Sequence, residues 1–209
     1  MAASYDAAAP FVFGGSLVLR RSLLTAALVA AFAAPALAAD FAIDANHTQA
    51  TFVVTHLAIT RVSGKVPVTA GTVSLGGNGL PSAISVTLSA KDIDTGSADR
   101  DRDLRSADWF DVEKYPTMTF VAKSVSGSPQ AFTVVGELTM HGVTKPVTLA
   151  GKELGKMTDA RNRTHVGYSV TGQLDRREWG LNWGRTTPGG SLVAGNDISL
   201  DMTVEIVSK

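Results

Sequence analysis

The sequence predicts an all-β fold: about eight antiparallel strands closing around one apolar interior. Three observations carry this. From Asp40 onward, apolar and polar residues alternate with a period of two, and successive side chains of a strand point to opposite faces. Turn signals separate the runs, at Gly76–Gly79, Ser126–Pro129, His141-Gly142, Pro188–Gly190 and Gly195-Asn196. Long helical patterns, internal repeats and linkers are missing. Strands with one wet and one dry face suit antiparallel sheets, because parallel sheets are usually covered on both sides. Such strands close either as two packed sheets or as a barrel. Gly136 and Gly172 fall mid-strand on dry faces, where glycine marks bends, and this favours the barrel over a filled sandwich. Eight strands also enclose an interior able to hold one small ligand.

The chain divides at residue 38. Arg20 and Arg21 precede a short apolar run ending in Ala36-Leu37-Ala38. A basic start, an apolar stretch and a small-residue site match a secretory signal cut after Ala38 or one residue later, so the domain at 39–209 is expected in the periplasm. The run is short and broken by Pro35, which argues against a membrane span; the plainer alternative is a buried Ala-rich helix. Residues 1–19 are a long lead for a signal and point to a start codon placed too far upstream. The whole chain carries 19 basic and 19 acidic residues; without Arg20, Arg21 and Asp6 these become 17 and 18. A near-neutral chain has no global pull toward nucleic acid. Absence of cysteine excludes thiol nucleophiles, Cys-ligated metals and disulfides.

The strands follow in order. In TFVVTHL, Phe52, Val54 and His56 share the dry face. In AISVTLSA the dry residues are Ile84, Val86 and Leu88. The segment 97–105 carries charge on both strand faces and is read instead as a short surface helix. Ser97 would cap it, with Asp101–Arg105 and Asp99–Arg102 as side-chain pairs. Tyr115-Pro116 then opens a strand carrying Met118 and Phe120, since proline fits a strand's first residues. FTVVGELTM turns Phe132, Val134, Gly136, Leu138 and Met140 inward. VGYSVTGQL does so with Val166, Tyr168, Val170, Gly172 and Leu174. The last run places Ile198, Leu200, Met202, Val204 and Ile206 on one side.

Catalytic chemistry finds little support. The four histidines, His47, His56, His141 and His165, form no HExxH motif or close pair, although a metal site assembled across strands stays open. His56, on a dry face, reads first as a core histidine bonded to backbone, and His141 as a turn residue. No GxSxG elbow or phosphate loop occurs. The carboxylates between Asp99 and Glu113 read as a solvated charge run. Trp109, Phe110, Tyr115, Trp179 and Trp183 suit either the rim of an apolar cavity or the plug of a barrel end.

Four stretches resemble the YceI-like family of small secreted bacterial proteins: IDANHTQATFVVTHLAITRVSGK (43–65), DIDTGSADRDRDLRSADWFDVEKYPTMTF (92–120), GELTMHGVTKPVTL (136–149) and RREWGLNW with the final strand. Trp109 stands where the family usually has Phe, and Glu178-Trp179 where it often has Asp-Phe. The resemblance implies an eight-stranded antiparallel lipocalin-like barrel with an apolar tunnel. It also implies a bound polyisoprenoid or similar long-chain amphipathic lipid, an isoprenoid quinone among the options, without catalysis or a further cofactor. A cytochrome b561-type membrane protein is a partner the resemblance suggests, with an accessory subunit of that protein as an alternative function, and a homodimer stays open. An enzyme acting on a lipid or quinone head group through His56 is the rival of a different class. Of the dry-face residues, Phe52, Val54, Ile84, Val86, Phe120, Phe132, Val134, Leu138, Met140, Tyr168, Val170, Leu200 and Val204 are expected to line the interior. Trp109 and Phe110 would contact lipid, and His56, Arg177 and Trp183 would supply polar or rim contacts.

Overall fold

The structure, a computed structural model, describes residues 39–209. The expected signal and N-terminal extension lie outside them. Ten strands form one sheet: β1 (Ala39–Ile43), β2 (Gln49–His56), β3 (Thr60–Lys65), β4 (Val68–Leu75), β5 (Pro81–Ser89), β6 (Thr117–Ser128), β7 (Ala131–Met140), β8 (Val143–Thr158), β9 (Thr164–Asp175) and β10 (Ala194–Ser208). Their order is β1-β4-β5-β6-β7-β8-β9-β10, and β10 returns to β1, so the sheet closes on itself. All pairings between these strands are antiparallel.

The other two strands belong to the same eight-membered frame. β10 pairs with β1 through Ile206–Ser208 and with β2 through Ala194–Thr203, so β1 and β2 run end to end along it as one interrupted strand. The interruption is local chemistry: Asp44 Oδ1 accepts from the Asn46 and His47 backbone N–H groups at 2.9 and 3.3 Å and turns the chain. β3 and β4 likewise continue one another along β2 and β1. Pro67, which has no ladder donor, separates them. About eight strands were therefore legible, and two of them are broken.

The barrel is least regular beside β3, whose outer edge makes, among the described residues, an isolated bridge from Lys65 to Asp94 in place of a strand ladder. The connection from β5 to β6 covers that edge. It contains helix α1 (Ala98–Arg105), as the charge pattern predicts. Asp99 and Arg102 pair at 2.8 Å, but the expected Asp101–Arg105 pair does not form, and Ser97 makes no side-chain cap. Asp101 is buried and accepts from Thr95 N and Oγ1 at 2.8 and 2.6 Å, while Arg105 Nη2 donates to Ile93 O at 2.7 Å. Both side chains are consumed in pinning the preceding segment to the helix. Tyr115 packs edge-on to His141 at 5.0 Å, fixing the entry to β6. Gly195-Asn196, expected as a turn, lies inside β10, where pairing with β2 shifts register.

The mid-strand glycines have a definite use. The Phe120 ring lies over Gly136, Phe132 over Gly151 and Phe52 over Gly64, where any Cβ would collide with it. Rings laid flat against neighbouring backbone leave the barrel interior free.

Candidate functional site

Inward-facing residues fall into two groups. Phe41, Val73, Phe132, Val134, Val166, Tyr168 and Ile206 are buried at the end where β7 and β9 begin and β10 finishes; Val134 is 2% exposed. They form a packed floor. Between it and the connections at the other end lies a cavity of about 400 Å3. Phe52, Val54, Ile84, Val86, Leu138, Val170, Leu200 and Val204 line it and are only half-buried, although they point into the barrel. An inward side chain that still meets a solvent-sized probe faces open space, so these residues are wall. The volume lies in the range of small-molecule sites.

Phe120, Phe132, Val134, Met140 and Tyr168 also border the cavity, but each is buried. They act as packing that shapes it. The Tyr168 hydroxyl is buried without a hydrogen-bond partner, and burial pushes its acidity out to a pKa of about 12. Its ring meets Phe132 edge-on at 5.8 Å.

Most polar residues on the cavity lie toward the connection end, at Thr55, His56, Thr95, Arg100 and Asp103. Thr55 and Asp103 are exposed, which places the mouth between the β2–β3 hairpin and α1. Arg100 is held there by Thr95, with Nε to Oγ1 at 2.7 Å and Nη2 to the carbonyl at 2.8 Å. The ring of His56 borders the cavity, half-buried, and makes no hydrogen bond among the described residues. It is neither tied to backbone nor paired with an acid. Trp109, Phe110 and Trp183 complete this end; the two indoles are 4.9 Å apart and tilted by 31°.

Arg177, expected at the rim, is not on the cavity. Asp175 takes its backbone N–H and its Nε, each at 2.9 Å, and holds the side chain outward on an exposed ion pair. The cavity residue is its neighbour Arg176, only 3% exposed. Arg176 donates to the carbonyls of Gly195 at 3.0 Å, Trp183 at 2.7 Å and Ala194 at 3.2 Å, to that of Leu181, and to Asn196 Oδ1 at 3.0 Å. Its guanidinium also lies 5.1 Å from the Trp109 ring centroid. Burial lowers its pKa, and the nearby charge of Asp175 offsets this only in part. One side chain thus ties the β9–β10 connection into the barrel mouth.

A signal for Arg176 was available. Arg176–Trp179 form a 3-10 turn, in which residues three apart share a face. If Trp179 packs inward, Arg176 must do so too. Trp179 is 1% exposed, with its Nε1 donating to Leu138 O at 3.0 Å, and it is a plug rather than a rim.

The model of the YceI-like domain matches residues 41–206, nearly all of the described chain. The chain belongs to the YceI-like family. Protein YceI of Escherichia coli O157:H7 is 33% identical over 168 residues, which cover 78% of this chain and 88% of that protein. The crystal structure of the Campylobacter jejuni YceI protein is similar, with a TM-score of 0.63 and 25% identity, over 74% of this chain and 90% of that one. A polyisoprenoid binding domain from Saccharophagus degradans, implicated in plant cell wall breakdown, shares the fold. Its TM-score is 0.56 at 14% identity, over 82% of this chain and 99% of that one.

Among the described residues, Asp44, His47 and Glu205 bring three possible metal-ligating atoms within 4.8 Å of one another. None of the three lines the YceI-like cavity. His47 Nδ1 bonds Asp44 Oδ2 at 2.9 Å, and Glu205 Oε1 bonds His165 Nδ1 at 2.8 Å. The first lies within the β1–β2 turn and the second joins β9 to β10, while Asp44 N–H, donating to Glu205 O at 2.9 Å, fastens the broken strand to β10.

Proposed function

We propose that this protein holds the long apolar chain of a polyisoprenoid or similar amphipathic lipid in the barrel, and carries or sequesters it in the periplasm. The observation that carries the reading is the half-buried wall: apolar side chains surround the cavity, and its charged groups stand toward the mouth. Such a site gains from burying hydrocarbon and leaves a polar head near solvent. About ten buried methylenes at ~0.8 kcal/mol each contribute roughly 8 kcal/mol, on the order of micromolar affinity before losses. Ordering a flexible chain reduces that gain, so retention requires several prenyl units. The polyisoprenoid-binding relative supports the choice of chain. The secretory character of residues 20–38 supports the compartment.

The experiment is lipid mass spectrometry on protein purified from its native envelope, with binding of prenyl alcohols to the delipidated protein. Co-purifying prenyl lipid displaced by the alcohols is the expected result. Lipid-free protein that also fails to bind them would reject the carrier.

A further inference from the structure

The turn joining β2 to β3 breaks the rules of a hairpin turn. It closes through Ile59 N–H donating to His56 O at 3.1 Å, and its central residues Leu57 and Ala58 have φ of 53° and 61°. Two consecutive positive φ values call for Asn-Gly or Asp-Gly, because a Cβ is strained there. Here both residues are apolar, and the next, Ile59, is 80% exposed. Leu57 is half-buried, but neither backbone preference nor burial accounts for the exposed Ala58 and Ile59. Strained and exposed apolar segments on otherwise consistent folds mark functional surfaces.

Its surroundings point to the occupant. His56, the first residue of the turn, lies on the cavity mouth. Leu57 N–H donates to Val193 O at 3.0 Å, and Val193 N–H to Arg185 O at 2.9 Å. Val193 also lines the cavity. The tip, the mouth and Arg185 are thus joined by consecutive backbone bonds. Arg185 and Arg61, two residues past Ile59, are exposed and make no ion pair among the described residues. An apolar tip whose backbone neighbours carry unpaired cations matches an anionic lipid bilayer: Ile59 suits the acyl boundary, and the arginines suit the phosphates.

We infer that the Leu57–Ile59 tip docks the barrel on an anionic phospholipid surface and brings the cavity mouth against the bilayer, so that ligand is exchanged there. This rests on the carrier reading for the ligand, but not for the docking. The tip is a loading device: it speeds transfer without altering equilibrium affinity in solution.

The test uses the purified protein and vesicles of phosphatidylcholine with or without phosphatidylglycerol, with a dansyl-labelled prenyl alcohol as probe. Wild type should float with the anionic vesicles and release from them at high salt. Ile59→Asp and the double change Arg61→Glu, Arg185→Glu should each lower the bound fraction about tenfold or more, and slow probe transfer from vesicles in parallel. Both should bind the probe in free solution as wild type does, which excludes misfolding. Wild-type levels of flotation for Ile59→Asp, or transfer rates independent of vesicle concentration, overturn the docking. Flotation with native membranes but not with protein-free vesicles also overturns it, in favour of a protein partner. Tip-dependent flotation without probe uptake retains the docking and rejects the carrier; uptake without flotation does the reverse.

Discussion

Placing the same bulky residue at two inward-facing valines tests whether the cavity is real and is the ligand site. Val204 on β10 is half-buried and faces the cavity, whereas Val166 on β9 is 1% exposed in the packed floor and does not border the cavity. Tryptophan at 166 must push aside close-packed neighbours, and overpacking of this kind costs about 1–3 kcal/mol or more. At 204 the indole enters space already empty, so the denaturation midpoint should fall much less or rise. That indole occupies room for about four methylenes of ligand, each worth ~0.8 kcal/mol. A loss of about 3 kcal/mol weakens binding by about two-hundredfold, at 1.4 kcal/mol per tenfold. The assays are urea denaturation of the lipid-free variants and titration with a fluorescent prenyl alcohol. Equal destabilisation at both positions would show that no void exists at 204. A stable Val204→Trp protein with unchanged affinity would place the ligand outside the barrel.

Two other outcomes follow from the side-chain chemistry. Arg176→Lys should lower stability by about 3–5 kcal/mol, because an ammonium cannot satisfy acceptors on Leu181, Trp183, Ala194, Gly195 and Asn196 together, whereas Arg177→Lys should shift it by less than about 1 kcal/mol; chemical denaturation of both reads the difference. His165 is held between Glu205, the larger influence, and Asp159, and both raise its pKa. Its folded-state value lies above the unfolded one, so its stabilisation is complete below about pH 6.5 and is lost as pH rises through the folded value. Denaturation midpoints should therefore decline from slightly acid pH upward, and His165→Asn should flatten that slope; an unchanged slope would assign the decline elsewhere.

What was legible in the sequence, and what was not, divides along a physical line. Period-two alternation reports which face a residue is on, and the residues expected to line the interior do border the cavity, whereas Val166, on the same face as Tyr168, is packed away from it. Alternation does not report depth along the barrel axis. Phe132 and Leu138 look alike in FTVVGELTM, yet one is floor and the other wall, because depth depends on which strands close the end. The breaks between β1 and β2 and between β3 and β4 were hidden for the same reason, since register with β10 and β2 is a tertiary fact. The strand opened by Tyr115-Pro116 was legible, and Trp109 and Phe110 just before it border the cavity.

The exchange of Arg177 for Arg176 has a different cause, and it bears on how the mouth works. Two adjacent arginines are indistinguishable by composition, and Asp175 decides between them by capping its own turn and keeping the nearer guanidinium outside. Arg176 is then left to be buried against neutral acceptors. A buried charge is costly, and this one, offset only in part by Asp175, is held by charge-assisted bonds spread over the β9–β10 connection. That connection carries Trp183 and Val193, which line the cavity, and Val193 in turn anchors Leu57 at the hairpin tip. The guanidinium is therefore best read as the fastening of the mouth. Its donors are directed at backbone, so a ligand head group would meet Arg100 and His56 before it met Arg176.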